Sequence, residues 1–126
     1  MHSGSCLCGS VAFVIDGDLS APSACHCGQC RKQSGHVWAS TGTHQDNLSF
    51  SSDETLSWFR ASDIARRGFC EACGSFLFWQ RNDEDTISIS MGALDEPTGL
   101  KLARHIFVAD KGDYYDIKDD LPQEAQ

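Results

Sequence analysis

The sequence predicts an all-β domain built around groups of cysteines, and three observations support this prediction. Short runs of alternating apolar and polar residues recur along the chain, as expected for half-buried strands. Segments rich in Asp, Gly, Asn and Pro separate these runs and are typical of turns. No stretch has the 3.6-residue period of a long amphipathic helix.

The first clear strand is SVAFVID, which places Val11, Phe13 and Ile15 on one face. Four later runs alternate in the same way and are rich in β-branched or aromatic residues: Leu56–Arg60, Phe76–Gln80, Thr86–Met91 and Leu102–Val108. Turns are expected between them, at Asp16–Asp18, Arg81–Asp85, Asp95–Gly99 and Asp110–Asp113. One short helix or helical turn is expected after Cys27, through QCRKQS.

The length and charge of the chain limit the classes of function. The 126 residues suit one domain, which we place at residues 1–118, followed by a polar tail at 119–126 that we expect to be loose. A net charge of -8 favours solubility and disfavours binding to nucleic acid or anionic membranes. No signal-peptide pattern begins the chain, so a cytoplasmic location is expected. Exposed strand edges make a monomer or a homodimer plausible.

The seven cysteines fall into three tight groups. Their odd number, without a secretion signal, argues against a disulfide framework. Cys6 and Cys8 are two residues apart, so both sulfurs point to one side of an extended chain. Cys70 and Cys73 form a Cys-x-x-Cys turn, as in a zinc knuckle. Together the two pairs predict a closed, structural four-cysteine zinc site; the alternative, a thioredoxin-like redox pair at Cys70 and Cys73, lacks a βαβ pattern around it.

That pairing leaves three cysteines, Cys25, Cys27 and Cys30, within six residues. Three thiolates can hold a second zinc ion and leave its fourth position open, which is typical of catalytic zinc sites. Two alternatives remain: a metal-free redox triad, or a site closed by a histidine. The candidate histidines for that fourth position are His26, His36, His44 and His105.

The three groups in order, GSCLCGSVAF, CHCGQCRKQSGH and FCEACGS, resemble the glutathione-dependent formaldehyde-activating family, also called centromere-protein-V-like. This resemblance implies a β-tent of antiparallel sheets with two zinc ions. It implies a structural zinc on Cys6, Cys8, Cys70 and Cys73, and a labile catalytic zinc on Cys25, Cys27 and Cys30. It also implies carbon–sulfur lyase activity on adducts of a small thiol and an aldehyde, as in the synthesis of S-hydroxymethylglutathione.

Several residues suit this chemistry. Zinc deprotonates a coordinated thiol, and attack of the sulfur on an aldehyde leaves an alkoxide that needs a proton. His26 or His36 can supply that proton, since histidine titrates near neutral pH. Glutathione is anionic and needs nearby cations, and the candidates flank the cysteines: Arg31, Lys32, Arg66 and Arg67.

Two rival functions belong to other classes. A zinc-stabilised binding module without turnover needs only the four-cysteine site, so the extra three cysteines argue against it. Methionine sulfoxide reduction needs a nucleophilic cysteine in a late strand, and no cysteine follows Cys73.

Overall fold

The computed structural model describes the whole chain, Met1 to Gln126. It contains one α-helix, α1 (Gly28–Ser34), three short 3-10 helices and ten strands. The strands are β1 (His2–Ser5), β2 (Ala12–Ile15), β3 (Ser23–Cys25), β4 (Trp38–His44), β5 (Leu48–Ser52), β6 (Leu56–Phe59), β7 (Ala65–Cys70), β8 (Phe76–Arg81), β9 (Thr86–Ser90) and β10 (Arg104–Ile106). The prediction of an all-β domain is therefore confirmed.

The strands form two sheets. The smaller sheet has the order β1-β2-β5, and the larger has the order β10-β3-β4-β9-β8-β7-β6. Every neighbouring pair is antiparallel except β10 and β3, which run parallel. This parallel pair is the one departure from the antiparallel sheets that the resemblance implies, and it brings His105 opposite Ala24, beside the second cysteine group.

The core lies between the two sheets. Val11, Phe13 and Ile15 are at most 1% exposed, so the predicted apolar face of β2 is the buried one. The ring of Phe13 packs edge-on against Phe78 of the larger sheet, with centroids 5.3 Å apart. Each fully buried side chain of this kind contributes about 1.5–3 kcal/mol relative to an exposed one. This packing fixes the positions of β7 and β8. Cys70 ends β7, and Cys73 lies in the turn between β7 and β8.

The strands with regular alternation were predicted, and their observed ends differ from the predicted ones by at most two residues. Five strands were not predicted, and β4 and β7 show the reason. The sequence of β4 is WASTGTH and that of β7 is ARRGFC, so polar residues and a glycine interrupt the apolar pattern of both. Their polar side chains are bonded inside the fold: the Thr41 hydroxyl, for example, donates to the Ser20 carbonyl oxygen at 2.5 Å.

The predicted short helix is present as α1. Its N-cap is Cys27, whose sulfur accepts a hydrogen bond from the Cys30 N–H at 3.3 Å. Gly35 ends the helix in the left-handed conformation, with φ of 90°, and its N–H donates to the Arg31 carbonyl. At seven residues α1 is far below bilayer thickness, and no other helix is long and apolar enough to cross a membrane.

Residues 119–126, for which we expect a loose polar tail, form hydrogen bonds and an ion pair with β10 in this structure. The His105 N–H donates to the Pro122 carbonyl at 2.9 Å, and the Glu124 N–H donates to the His105 carbonyl at 2.9 Å. A salt bridge joins Arg104 to Glu124 at 3.0 Å. The last residues therefore extend the edge of the larger sheet beside β10.

Candidate metal centres

The structure brings the four cysteines of the first group together, as predicted. The sulfurs of Cys6, Cys8, Cys70 and Cys73 all lie within 4.8 Å of one another. The Cys6–Cys8 sulfur distance is 3.6 Å and the Cys8–Cys70 distance is 3.8 Å. Four sulfurs at a Zn–S distance of about 2.3 Å form a tetrahedron with edges of about 3.8 Å. The group therefore fits a zinc ion with all four positions filled by protein.

Two similar turns aim these sulfurs. The Gly9 N–H donates to the Cys6 carbonyl at 3.2 Å, and the Gly74 N–H donates to the Cys70 carbonyl at 2.7 Å. Both glycines have positive φ, 83° and 82°, a conformation that disfavours other residues. Each turn thus reverses the chain directly after a strand and leaves two thiols facing the other pair.

Hydrogen bonds around the first group favour thiolates at two positions. The Ser75 hydroxyl and nearby backbone N–H groups lower the pKa of Cys73 to about 5. Thr55 lowers the pKa of Cys70 through a contact of 3.3 Å, whereas burial raises the pKa of Cys6. Deprotonated sulfur is the form that binds a metal ion, so these donors prepare the group for one.

The second group contains three sulfurs and no fourth protein donor. Those of Cys25, Cys27 and Cys30 lie within 4.8 Å of one another, and no histidine or carboxylate joins them. Cys25 ends β3, Cys27 caps α1, and Cys30 lies in the first turn of that helix. A zinc ion fits three such thiolates with one position left for another ligand.

The charge within the second group is uneven. A hydrogen bond with Cys25 and the nearby Arg67 together lower the pKa of Cys30 to about 6. The same bond and burial raise the pKa of Cys25. Negative charge is therefore concentrated on Cys30, which is 3% exposed.

Arg67 lies next to the second group. It is 5% exposed, and its two terminal nitrogens are 3.7 and 3.8 Å from the Cys30 sulfur. The same nitrogens donate to the side-chain oxygens of Gln33 and Gln29, each at 3.1 Å. The two glutamines are four residues apart on α1 and were not singled out by sequence reasoning, since neutral amides gave no signal of a site.

The other three predicted cations differ in their surroundings. Arg66 stacks on Trp58, 3.8 Å from the ring centroid, and donates to Gln80 at 2.9 Å. Arg31 is half-buried on α1, and its Nε has no hydrogen-bond partner. Lys32, the next residue of α1, is exposed. Arg31 and Lys32 are thus available beside the second group, whereas Arg66 is held on the larger sheet.

His26 is enclosed, although it stands between two cysteines of the second group. It is 2% exposed, and both ring nitrogens are engaged: Nδ1 with the Tyr115 hydroxyl at 2.5 Å and Nε2 with His105 Nδ1 at 2.9 Å. His105 Nε2 in turn contacts Asp119 at 2.8 Å. Burial and His105 lower the pKa of His26, so its ring is neutral.

One hydrogen-bond direction satisfies this row of side chains. His105 Nε2 donates to the Asp119 carboxylate, His26 Nε2 donates to His105 Nδ1, and the Tyr115 hydroxyl donates to His26 Nδ1. Sequence reasoning missed Tyr115 and Asp119 because they lie some ninety residues from His26 and belong to none of the cysteine motifs. The row ties the end of the chain to the loop that carries Cys25 and Cys27.

His36 is the exposed histidine near this row. Its Nδ1 contacts the Tyr114 hydroxyl at 2.6 Å, and its ring lies edge-on to Tyr115 with centroids 4.6 Å apart. The structure thus places both predicted proton donors, His26 and His36, against Tyr115, one enclosed and one open to solvent.

A cavity of about 620 Å³ lies beside the first cysteine group. Cys6 of the first group lines it, as do Trp38 and Phe76, whose stacked rings pack against the second group. Its size is in the range of small-molecule sites.

Comparisons with known proteins agree with this architecture. The family model described as glutathione-dependent formaldehyde-activating enzyme matches residues 1–110. An uncharacterized lyase of Schizosaccharomyces pombe is 25% identical over 121 residues, which cover 92% of this chain and 85% of that protein. A crystal structure of a Rhodobacter sphaeroides protein has a TM-score of 0.59 and 22% identity, and the match covers 75% of this chain and 88% of that one.

Proposed function

The chain belongs to the glutathione-dependent formaldehyde-activating enzyme family, and from this premise we propose that it is a zinc-dependent carbon–sulfur lyase. Its proposed reaction is the reversible addition of a small thiol, such as glutathione, to an aldehyde, such as formaldehyde. The sulfur forms a bond to the carbonyl carbon, and the thiol proton ends on the carbonyl oxygen. The cytoplasmic location and the monomeric or homodimeric state stay predictions.

One observation carries this proposal: the second cysteine group has three sulfurs and no fourth protein donor. A binding module needs only the first group, whose four sulfurs complete a structural site. When bound to Cys25, Cys27 and Cys30, zinc would supply a fourth position that holds a substrate thiol in its reactive, deprotonated form.

The substrate's charged groups require cations on this acidic protein. We assign the glutathione carboxylates to Arg31 and Lys32, because both lie on α1 directly after Cys30 and neither forms an ion pair. A guanidinium such as that of Arg31 binds a carboxylate through two parallel hydrogen bonds. The apolar part of the thiol would lie along Trp38 and Phe76, which line the cavity.

The proton for the new hydroxyl group is assigned to His36. Its ring is exposed, and no hydrogen bond engages its Nε2. His26 has no free ring nitrogen, so it acts through Tyr115 and not on the substrate itself. The row from Asp119 to Tyr115 keeps the His26 ring, and with it the loop from Cys25 to Cys27, in one orientation.

The test is the rate of exchange between glutathione, formaldehyde and their adduct, measured by NMR exchange spectroscopy on protein with a known zinc content. We expect wild type and the surface variant Arg60→Met to accelerate exchange, and Cys27→Ser to lose both the second zinc and the acceleration. A protein that holds two zinc ions per chain and accelerates no thiol–aldehyde exchange would instead be the binding module.

A further inference from the structure

The guanidinium of Arg67 has no carboxylate partner. None of the salt bridges in the structure includes it, although its side chain is almost fully buried. Burying an uncompensated charge is costly, so a buried arginine is normally paired with an anion. The nearest group that can carry negative charge is the sulfur of Cys30, 3.7 Å from one nitrogen and 3.8 Å from the other.

The remaining partners of Arg67 are neutral. Gln29 and Gln33 accept its hydrogen bonds through amide oxygens, which fix the direction of the guanidinium without neutralising it. The ring of Phe76 lies 5.6 Å from its central carbon and covers it with apolar surface. The full positive charge is therefore directed at the second cysteine group.

We propose that Arg67 is a positioning residue that lets the second cysteine group accept an anionic thiolate as its fourth ligand. Three thiolates and one divalent cation carry a net charge of −1, and a substrate thiolate, having released its proton to the buffer, raises this to −2. Arg67 offsets one of these charges. A neutral fourth ligand adds no charge, so its binding does not depend on Arg67. This inference rests on the proposed thiol binding, but not on turnover.

Cobalt-loaded protein provides the test, because an added thiolate strengthens the sulfur-to-Co²⁺ charge-transfer absorption and either a thiolate or a neutral ligand shifts the visible d–d bands of Co²⁺, so both can be titrated. The two probes are 2-mercaptoethanol, which binds as an anion, and imidazole, which binds as a neutral molecule. In Arg67→Met we expect thiol affinity to fall roughly ten- to a hundredfold, as for loss of one unit charge in a partly desolvated site, with imidazole affinity unchanged. Arg60→Met, on the surface, is the matched control and should behave as wild type.

A second variant keeps the arginine. Gln33→Glu places a carboxylate within hydrogen-bond distance of the Arg67 guanidinium. This carboxylate neutralises part of the positive charge that faces Cys30, while the packing is retained. We expect weaker thiol binding and unchanged imidazole binding here too, even where Arg67→Met does not fold. Arg67→Lys, which keeps the charge, should restore part of the thiol affinity.

The outcomes separate this inference from the proposed function. Equal thiol affinity in wild type, Arg67→Met and Gln33→Glu would overturn it, and so would equal losses for thiol and imidazole, which mark a merely structural role. A wild-type protein that binds no thiol would overturn both. Arg67-dependent thiol binding without any exchange catalysis would support the inference and refute the lyase proposal.

Discussion

Replacing Cys73 by serine should destabilise the fold more than replacing Cys27, because the two cysteine groups close loops of different length. In the first group, Cys8 and Cys70 are separated by 62 residues. A cross-link over that length removes about 4 kcal/mol of unfolded-chain entropy. The second group spans only Cys25 to Cys30, for which the same relation gives about 2 kcal/mol.

The two variants are well matched. Cys73 and Cys27 are both partly buried, and serine at either position keeps a similar size. Serine at position 27 also keeps an N-cap acceptor for α1. Urea unfolding of protein loaded with two zinc ions, with elemental analysis to show that each variant loses one, measures the difference. We expect Cys73→Ser to lose about 2 kcal/mol more than Cys27→Ser. Equal losses, or a larger loss in Cys27→Ser, would refute this account of the first group as the structural tie.

Three further predictions concern the fold around the sites. Ser90→Ala leaves the buried indole N–H of Trp38, which now donates to Ser90 at 2.5 Å, without an acceptor, and should cost about 1–3 kcal/mol in urea unfolding. Gly4→Ala places a Cβ 2.5 Å from a backbone oxygen and should cost about 1–3 kcal/mol in the same assay. The hydrogen bond from His105 lowers the pKa of Asp119 below its ordinary value of 3.8. Ionised Asp119 therefore stabilises the fold above pH 3.8, and this stabilisation is lost as the pH falls through the lowered pKa. In Asp119→Asn, the free energy of unfolding should consequently fall less steeply with decreasing pH in the acid range.

Each has a control and a contrary result. Ser51 is exposed and bonds weakly, so Ser51→Ala should leave stability unchanged, and a Ser90→Ala protein as stable as wild type would show that the indole finds another partner. Gly92 has open space where a Cβ would lie, so Gly92→Ala is the control for Gly4→Ala. The close contact at Gly4 is supported only if Gly4→Ala loses clearly more stability than Gly92→Ala. If the free energy of unfolding fell equally steeply with decreasing pH in wild type and in Asp119→Asn, Asp119 would not contribute to acid unfolding.

Local patterns made part of the site predictable. Short turns determine how Cys6 lies relative to Cys8, and how Cys70 lies relative to Cys73. Such turns have the same local geometry whatever the tertiary structure around them. The periodic strand β2 was predictable for a similar reason, because its alternation reports burial directly. Counting also left Cys25, Cys27 and Cys30 for the second group, whereas the absence of a histidine beside them came from the structure.

Tertiary structure decided the roles that depend on distant partners. Arg67 looked like its neighbour Arg66 in the sequence, but alternate residues of β7 point to opposite faces, and only Arg67 meets Cys30 across 37 residues. His26 looked like a proton donor until the parallel pairing of β10 with β3 placed His105 against it, and the end of the chain brought Tyr115 to its other nitrogen.

The sequence by itself therefore determined the all-β class and the two sets of cysteines, since strand periodicity and turn spacing are encoded within a few residues. The fold decided which charge faces the second set and which histidine is enclosed. These depend on sheet order and register, which arise from burial of side chains that are distant in sequence.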